Sequence, residues 1–207
     1  MITKKNRYWQ KFYKNRSFND KVSFPLQFSI ITLSQKHNKK TLVEFGCGNG
    51  RDVSYMSKFF KKTYAFDISE SAIKHNIDKF KSFKNLNFKI CDVTKNFSYK
   101  NLKKLNKLIY TRFFIHTLSD DEIKIFIKLL SKIMNKNEKI FLEYRTHLDK
   151  NKKKVFRNHY RNFLNPEKVK IFFHKENFKN TYSINGFGLA IFDEEDPHVS
   201  RQIFQKK

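Results

Sequence analysis

Short apolar segments alternate with amphipathic segments along most of this chain, and this alternation restricts the possible folds more than any other feature. Five segments rich in apolar and β-branched residues predict strands, at residues 41–45, 63–67, 86–92, 107–113 and 138–145. Segments with helical periodicity follow them, at residues 51–60, 69–80, 119–134 and 166–178. Strands that alternate with helices predict βαβ units and a parallel sheet with helices on both faces.

Both ends of the chain extend this pattern. Residues 4–17 place aromatic side chains at helical spacing, and residues 24–36 predict a second helix with Pro25 in its first turn. Residues 181–207 predict a closing pair of strands, separated by glycines and Pro197. We therefore predict an α/β fold: a doubly wound, Rossmann-like, seven-stranded sheet that is mostly parallel, with an antiparallel C-terminal strand.

Local signals define several helix ends. Ser69 is the predicted N-cap of the helix over 69–80, whose buried face we expect to hold Ala72, Ile73, Ile77 and Phe80. Ser119 and Glu122 have the spacing of a capping box, and Pro166 suits the first position of its helix.

The composition limits the class of protein. A chain of 207 residues suits a single domain, predicted over 1–207. The net charge is +25, but only eight of the 44 basic residues are arginine and the lysines are scattered, so coding bias explains the charge better than a specific nucleic-acid partner.

Two cysteines are too few for a disulfide framework or a zinc site, so no metal is expected. Without a visible signal peptide or an 18-residue apolar run, a cytoplasmic protein with no membrane association is expected.

Three of the five glycines, Gly46, Gly48 and Gly50, follow the first predicted strand. Such a cluster can simply form a tight turn between strand and helix. However, Asp67 ends the second predicted strand 21 residues after Gly46, which is where a carboxylate can accept hydrogen bonds from ribose hydroxyls. The combination predicts a ligand that contains a nucleoside.

The glycine spacing distinguishes between such ligands. The order G-x-G-x-G lacks the third glycine of the dinucleotide fingerprint, whose position holds Arg51, and no P-loop pattern occurs. Glu44, just before the loop, would repel a pyrophosphate but suits a cationic group such as an amine or a sulfonium.

The strings LVEFGCGNG, AFDIS and ICDVT resemble the motif series of class I S-adenosylmethionine-dependent methyltransferases, and the resemblance covers about residues 41–145. It implies a methyltransferase that uses S-adenosylmethionine and releases S-adenosylhomocysteine. By this resemblance 1–38 would be an N-terminal helical cap, 41–145 the cofactor-binding core, and 146–207 a substrate-side segment with the closing strands. More loosely, the chain is similar to small methyltransferases associated with bacterial surface-polysaccharide modification.

The resemblance also implies which residues contact the cofactor. Contacts to its methionine part would come from Glu44, Gly46, Cys47 and Gly48. Its nucleoside would contact Asp67 at the ribose, Ile68 over the adenine, and Asp92 and Val93 at the adenine edge and plane. Arg112 would face the transferred methyl group.

Candidate catalytic and substrate residues follow the fourth and fifth strands. His116 could act as a general base; alternatively, it is only a polar residue at the start of the next helix. Arg112 could hold an anionic group of the substrate; alternatively, it forms a structural salt bridge. The predicted substrate contacts are Tyr8, Trp9, Tyr13, Arg145, His159, Tyr160 and Arg161. For the three aromatic residues near the N-terminus, packing on the sheet is the alternative. The arginines among the predicted contacts favour a small-molecule acceptor that carries phosphate or carboxylate.

Two other functions stay open at this point. A nucleic-acid methyltransferase would suit the charge, although neither an Asn/Asp-Pro-Pro-Tyr string nor a Pro-Cys dipeptide is present. A non-catalytic nucleoside-binding domain could keep the same fold. The sequence does not identify the methyl acceptor, the acceptor atom or the oligomeric state.

Overall fold

The computed structural model describes residues 4–14, 39–95, 100–152, 154, 160–192 and 194–207. The helix predicted over residues 24–36 and the predicted substrate residue His159 lie outside the described residues. The chain divides into two compact units, Met1–Asp92 and Val93–Lys207, which we call the N-terminal unit and the C-terminal unit.

The N-terminal unit alternates strands and helices after a first helix. Its elements are α1 (Lys4–Lys14), β1 (Thr41–Phe45), α2 (Arg51–Met56), β2 (Lys62–Asp67), α3 (Glu70–Lys79) and β3 (Leu86–Ile90). β2 pairs in parallel with β1 on one side and with β3 on the other. Every residue of β1 is buried, as expected for a parallel strand covered on both faces.

The C-terminal unit continues the alternation and closes with two long strands. Its elements are α4 (Lys100–Lys103), β4 (Lys107–Arg112), α5 (Asp120–Ile133), β5 (Lys139–Arg145), α6 (Pro166–Lys175), β6 (Phe178–Gly186) and β7 (Val199–Lys206). β4 and β5 are parallel, whereas β7 runs antiparallel to both of its neighbours, β5 and β6.

The strand order is β3-β2-β1-β4-β5-β7-β6 in one seven-stranded sheet. This order and the direction of β7 confirm the predicted fold class: a mostly parallel, Rossmann-like sheet with an antiparallel C-terminal strand. Within the described parts of the chain, no helix is long and apolar enough to cross a membrane.

The local signals at the helix ends are confirmed. The Ser69 side chain caps α3 by accepting a hydrogen bond from the backbone of Ala72. Ser119 and Glu122 form the reciprocal capping box of α5. Pro166 opens α6, where the side chain of Asn165 provides the N-cap.

The predicted buried face of α3 is partly wrong. Ala72 and Ile73 are buried, but Ile77 is 50% exposed and Phe80 is half-buried, while Asn76 is fully buried (0% exposed). The helix predicted over residues 166–178 also ends early, at Lys175. The apolar residue Phe178 belongs instead to β6, where it is buried.

Candidate functional site

In the glycine loop after β1 (residues 46–50), backbone amides donate hydrogen bonds to other groups of the protein. The amides of Gly46 and Cys47 both donate to the carbonyl of Phe66, over 2.8 and 3.0 Å, and the amide of Gly50 donates to the carbonyl of Cys47 over 2.9 Å. The Gly48 amide donates to the Asp67 carboxylate over 2.9 Å. Because these four amides have internal acceptors, the loop does not offer them to a phosphate, which such cradles bind through backbone N–H groups.

Asp67 ends β2 beside this loop. Its Oδ2 accepts from the Gly48 amide, and its Oδ1 accepts from the amide of Ser69 over 2.9 Å. Burial raises the pKa of Asp67, and the backbone donors of Ser69, Gly48 and Ile68 act against that rise. A carboxylate offers about four acceptor positions, so two such bonds leave room for ribose hydroxyls.

The remaining predicted cofactor residues of this unit lie at or just after the carboxyl ends of its three strands. Glu44 is buried at the end of β1, whereas Ile68 and Asp92 are half-buried after β2 and β3. Burial, followed by the charges of Asp67 and Glu44, raises the pKa of Cys47 well above its ordinary value. The thiol therefore stays protonated near neutral pH and is no nucleophile.

Tyr13 of α1 packs against Gly48. A Cβ atom added to Gly48 would lie 3.0 Å from Cζ of Tyr13 and closer still to its hydroxyl oxygen. Gly48 also has a φ of +51°, which favours glycine. Burial raises the pKa of Tyr13 well above its ordinary value, and the charge of Asp67 adds to the effect. Tyr13, predicted to contact substrate, thus has its hydroxyl at the glycine loop.

Hydrogen bonds fasten α1 to the start of α3. Ser69 Oγ donates to the carbonyl of Trp9 over 3.3 Å, and Ser71 Oγ donates to the carbonyl of Gln10 over 2.9 Å. The Ser71 amide also donates to Gln10 Oε1 over 3.0 Å. Trp9 stacks on Tyr13 with ring centroids 6.1 Å apart, and Tyr8 meets the edge of Trp9 at 5.0 Å. Tyr8 and Trp9 therefore belong to an aromatic cluster behind Tyr13.

Asn76 is a residue at this loop that the sequence interpretation missed. Its Nδ2 donates to the carbonyl of Gly48 over 2.7 Å. A Cβ atom on Gly50 would lie 3.1 Å from Asn76 Oδ1 and 2.9 Å from the ring of Phe80, so α3 approaches the loop too closely for a side chain there. A polar residue at helical spacing from Ala72 and Ile73 was the available signal.

In the C-terminal unit, a charged row crosses three strands near the carboxyl end of β4. Arg112, Glu143 and Arg201 are register partners on β4, β5 and β7. Glu143, only 1% exposed, accepts from Arg112 Nε and from Arg201 Nε, both over 2.6 Å. Arg201 also donates to the carbonyl of Leu189. Arg112 thus forms the structural ion pair that was the alternative to an anion-binding role.

A second charged group surrounds Arg145, at the end of β5. Its guanidinium donates to Asp149 over 2.8 Å and pairs with Glu195 at 2.7 Å. Lys154 lies 3.5 Å from the same Asp149. Together with the row described above, the described residues pair four cationic side chains with three carboxylates in a largely buried setting.

His116 is buried near this group. Its Nδ1 accepts from the backbone amide of Arg145 over 3.4 Å, so the neutral ring carries its proton on Nε2. Phe113, whose φ is +51°, meets His116 edge-on at 5.7 Å and lies under the guanidinium of Arg112 at 4.3 Å. A bulky residue in the left-handed region is strained, and such strain concentrates at functional sites.

Two of the later substrate candidates, Tyr160 and Arg161, directly precede a residue that is hydrogen-bonded to His116. The amide of Asn162 donates to the carbonyl of His116 over 2.7 Å, which brings Tyr160 (57% exposed) and half-buried Arg161 near it. Val93, the first residue of this unit, is buried. His198, which sequence interpretation did not select, shares a 2.6 Å hydrogen bond with Thr146 at the end of β5. Among the described residues, no group of three or more His, Cys, Asp or Glu side chains could hold a metal ion.

Comparison with known proteins agrees with these observations. A family model described as "Methyltransferase domain" matches residues 15–189. No curated protein matches the chain in sequence.

Solved structures share the fold at low identity. A structure described for the conversion of a disulfide bond into a thioacetal group during echinomycin biosynthesis has a TM-score of 0.74 at 11% identity, covering 98% of this chain and 93% of that one. A SAM-dependent methyltransferase from Anabaena variabilis has a TM-score of 0.69 at 16% identity, with coverage of 98% and 93%. The N-methyltransferase NodS from Bradyrhizobium japonicum has a TM-score of 0.66 at 13% identity, covering 87% and 93%. Because the family model spans most of the chain, the chain belongs to the methyltransferase domain family and is a class I S-adenosylmethionine-dependent methyltransferase.

Proposed function

We propose that this methyltransferase methylates a small molecule that carries a phosphate or carboxylate group, such as an anionic metabolite or a sugar-linked group. S-adenosylmethionine supplies a methyl group that is already activated by the positive sulfur. The protein then needs mainly to align the acceptor and to exclude water. The observation that supports an anionic acceptor most directly is the concentration of arginine side chains around Glu143 and Asp149 among the described residues.

The glycine loop of the N-terminal unit fits the cofactor. We assign Asp67 to the ribose hydroxyls, because its carboxylate is held by two backbone amides and retains acceptor capacity. Buried Glu44 suits the ammonium group of the methionine part, and the internally bonded loop amides argue against a pyrophosphate ligand. The position of Tyr13 at Gly48 supports a contact with the cofactor for this residue, instead of the predicted contact with the acceptor.

The cofactor assignment is tested by Asp67→Ala, with Asp78→Ala as a matched control on the exposed side of α3. The lost carboxylate leaves ribose hydroxyls without acceptors, so we expect binding of S-adenosylhomocysteine to weaken by roughly tenfold or more in calorimetry. The control should bind as the wild type does. Equal affinities for wild type and Asp67→Ala would remove Asp67 from the site.

For the anionic group, we propose contacts from Arg112 and Arg145, supplemented by Tyr160 and Arg161. Each of the first two arginines already pairs with a carboxylate of the chain, so an acceptor anion would share it instead of neutralising it alone. Such sharing supports a modest affinity with a strong geometric preference, because a guanidinium presents its donors in a fixed plane.

For His116 we propose the role of a hydrogen-bond donor. A ring whose Nδ1 accepts a backbone hydrogen bond carries its proton on Nε2, which favours a hydrogen-bond donor over the predicted general base. His116→Gln, whose amide can replace an Nε2 donor, should then keep most of kcat and leave the pH profile unchanged. A base role would instead cost about 10²-fold or more in kcat. Loss of kcat in the variant together with loss of the acidic limb of the pH profile would restore the base assignment.

The activity itself is tested with methyl-labelled S-adenosylmethionine and pools of small metabolites separated by charge. We expect labelled product in the anionic pool and none with RNA or DNA. Label only in nucleic acid would favour the nucleic-acid methyltransferase, and cofactor binding without transfer to any pool would favour a binding domain. A cytoplasmic location stays a prediction, and no membrane partner is proposed.

A further inference from the structure

Asn76 is a polar residue in the buried face of α3. It shares this face with Ala72 and Ile73, and its side chain is completely buried. A buried carboxamide is costly unless it forms hydrogen bonds, and Asn76 Nδ2 donates to the carbonyl of Gly48 over 2.7 Å. The side chain of Asn76 therefore forms a hydrogen bond with the glycine loop, instead of contributing apolar surface to the packing of α3.

Gly48 is bonded on both sides of its Cα atom. Its amide donates to Asp67 Oδ2 over 2.9 Å, and its carbonyl accepts from Asn76. Gly48 has a φ of +51°, and glycine alone among residues moves easily between positive and negative φ. Two hydrogen bonds that flank one permissive residue fix the peptide groups on either side of it, and the ring of Tyr13 packs against the same residue.

We propose that Asn76 is a positioning residue for the cofactor loop: its carboxamide holds the Gly48 carbonyl, which in turn keeps the Gly48 amide on Asp67. Asp67 is then oriented by a backbone that cannot rotate. The inference rests on the proposed function, because Asp67 is the residue assigned to the ribose. Asn76 touches neither cofactor nor acceptor in this scheme and acts only through Gly48 and Asp67.

Without its donor, the Gly48 carbonyl would lie buried beside α3 with no partner from that helix. A buried polar group in that state drives the peptide to rotate toward another donor or water. The Gly48 amide lies in the preceding peptide group, which meets this one at the Gly48 Cα atom, so a shift of the carbonyl that displaces this Cα weakens the bond of the amide to Asp67 as well. We therefore expect the side chain of Asp67, which we assign to the ribose hydroxyls, to be held less firmly.

The test compares Asn76→Asp with Asn85→Asp. The first substitution keeps the shape but replaces the donor with a carboxylate oxygen. Asn85 is the matched control, since its Nδ2 also donates to backbone carbonyls, those of Ser57 and Phe60, at 2.8 and 3.0 Å, in a different part of the unit. Both variants should lose stability, so affinity for S-adenosylhomocysteine is measured by calorimetry at a temperature where circular dichroism shows each folded.

We expect Asn76→Asp to weaken binding about tenfold and Asn85→Asp to change it less than twofold. Asn76→Ala, which adds no charge, should weaken binding in the same direction and replaces Asn76→Asp if that variant does not fold. Affinity within twofold of wild type for the Asn76 variants, or an equal loss in the Asn85 variant, overturns the proposal.

A second measurement separates this inference from the proposed function. Amide hydrogen exchange at Gly48, followed by NMR without any ligand, should be faster in the Asn76 variants than in Asn85→Asp. If wild-type protein binds no S-adenosylhomocysteine, the proposed function fails, whereas faster exchange at Gly48 still supports the positioning role of Asn76. Unchanged exchange at Gly48 overturns that role whatever the ligand is.

Discussion

Substituting Gly48 by alanine combines two costs that can be separated in this protein. The first is the positive φ of +51°, which costs a residue with a Cβ about 1–2 kcal/mol. The second is steric, because the new Cβ would lie 3.0 Å from Cζ of Tyr13 and nearer to its hydroxyl oxygen. Overpacking of this kind costs about 1–3 kcal/mol. We expect Gly48→Ala to lower the free energy of unfolding by about 3 kcal/mol, or roughly 6–12 °C in Tm.

Gly188 provides the control for the first cost. Its φ is +73°, and a Cβ added there would meet no atom of the described residues within 4 Å, so Gly188→Ala reports the cost of the backbone conformation. The variant should lose about 1–2 kcal/mol. The steric term is then isolated by repeating Gly48→Ala in a Tyr13→Ala background, where the loss should fall to the Gly188 value.

Urea unfolding followed by circular dichroism measures these differences, and fluorescence reports where the clash is relieved. Trp9 is the only tryptophan of the chain and lies on α1, stacked on Tyr13. If α1 leaves the loop to make room for the Cβ, Trp9 emission shifts before global unfolding begins. The reasoning is refuted if Gly48→Ala costs no more than Gly188→Ala, or if its cost is the same with and without Tyr13.

Three further outcomes are expected. Glu143→Gln should cost about 3–5 kcal/mol in urea unfolding, because Arg112 and Arg201 lose the buried charge they share; a loss below about 1 kcal/mol would contradict the buried row. Ser119→Ala should cost about 1 kcal/mol of stability through the capping box, and no measurable loss would contradict that cap. Burial lowers the pKa of His198 below its ordinary 6.5, so the unfolded chain binds this proton more readily and stability falls as pH drops from above 6.5 through the folded-state pKa. In His198→Gln the decline of Tm over that range should therefore be shallower, and an equally steep decline would assign it to other groups.

Periodicity and end signals were sufficient for the order of the described elements. Each strand predicted between residues 41 and 145 is present, and the capping boundaries at Ser69 and Ser119 are confirmed to the residue. These signals succeed because they depend on neighbours three or four positions away. The site assignments made from the motifs stay predictions, since they depend on a ligand.

The buried face of α3 shows why hydrophobicity alone was insufficient. Positions 76 and 77 both adjoin the face that holds Ala72 and Ile73, and the apolar Ile77 was the natural choice for burial. However, the surface that α3 covers includes the backbone carbonyl of Gly48, which requires a donor. Helical periodicity places both positions next to this face, but the choice between them depends on Gly48, 28 residues earlier in the chain.

The arginines near the ends of β4 and β5 illustrate the same limit for charge. From sequence they indicated an anion site, because arginine is rare in this chain. Their partners come from distant segments: Arg201 and Glu143 are 58 residues apart, and Glu195 reaches Arg145 from the β6–β7 connection. Pairing across such separations follows from strand register, which neither residue reveals alone.

The hydrogen bonds inside the glycine loop bear on the type of ligand that we propose for it. In a phosphate-binding loop the amides point outward and supply the binding energy. Here the Gly48 amide is bonded to Asp67, and those of Gly46 and Cys47 to Phe66. For the cofactor site that we propose at this loop, affinity would therefore come from the surrounding side chains, chiefly carboxylates, which repel phosphate and accept hydroxyl and ammonium donors. S-adenosylmethionine carries ribose hydroxyls and an ammonium group, so it offers donors of this kind.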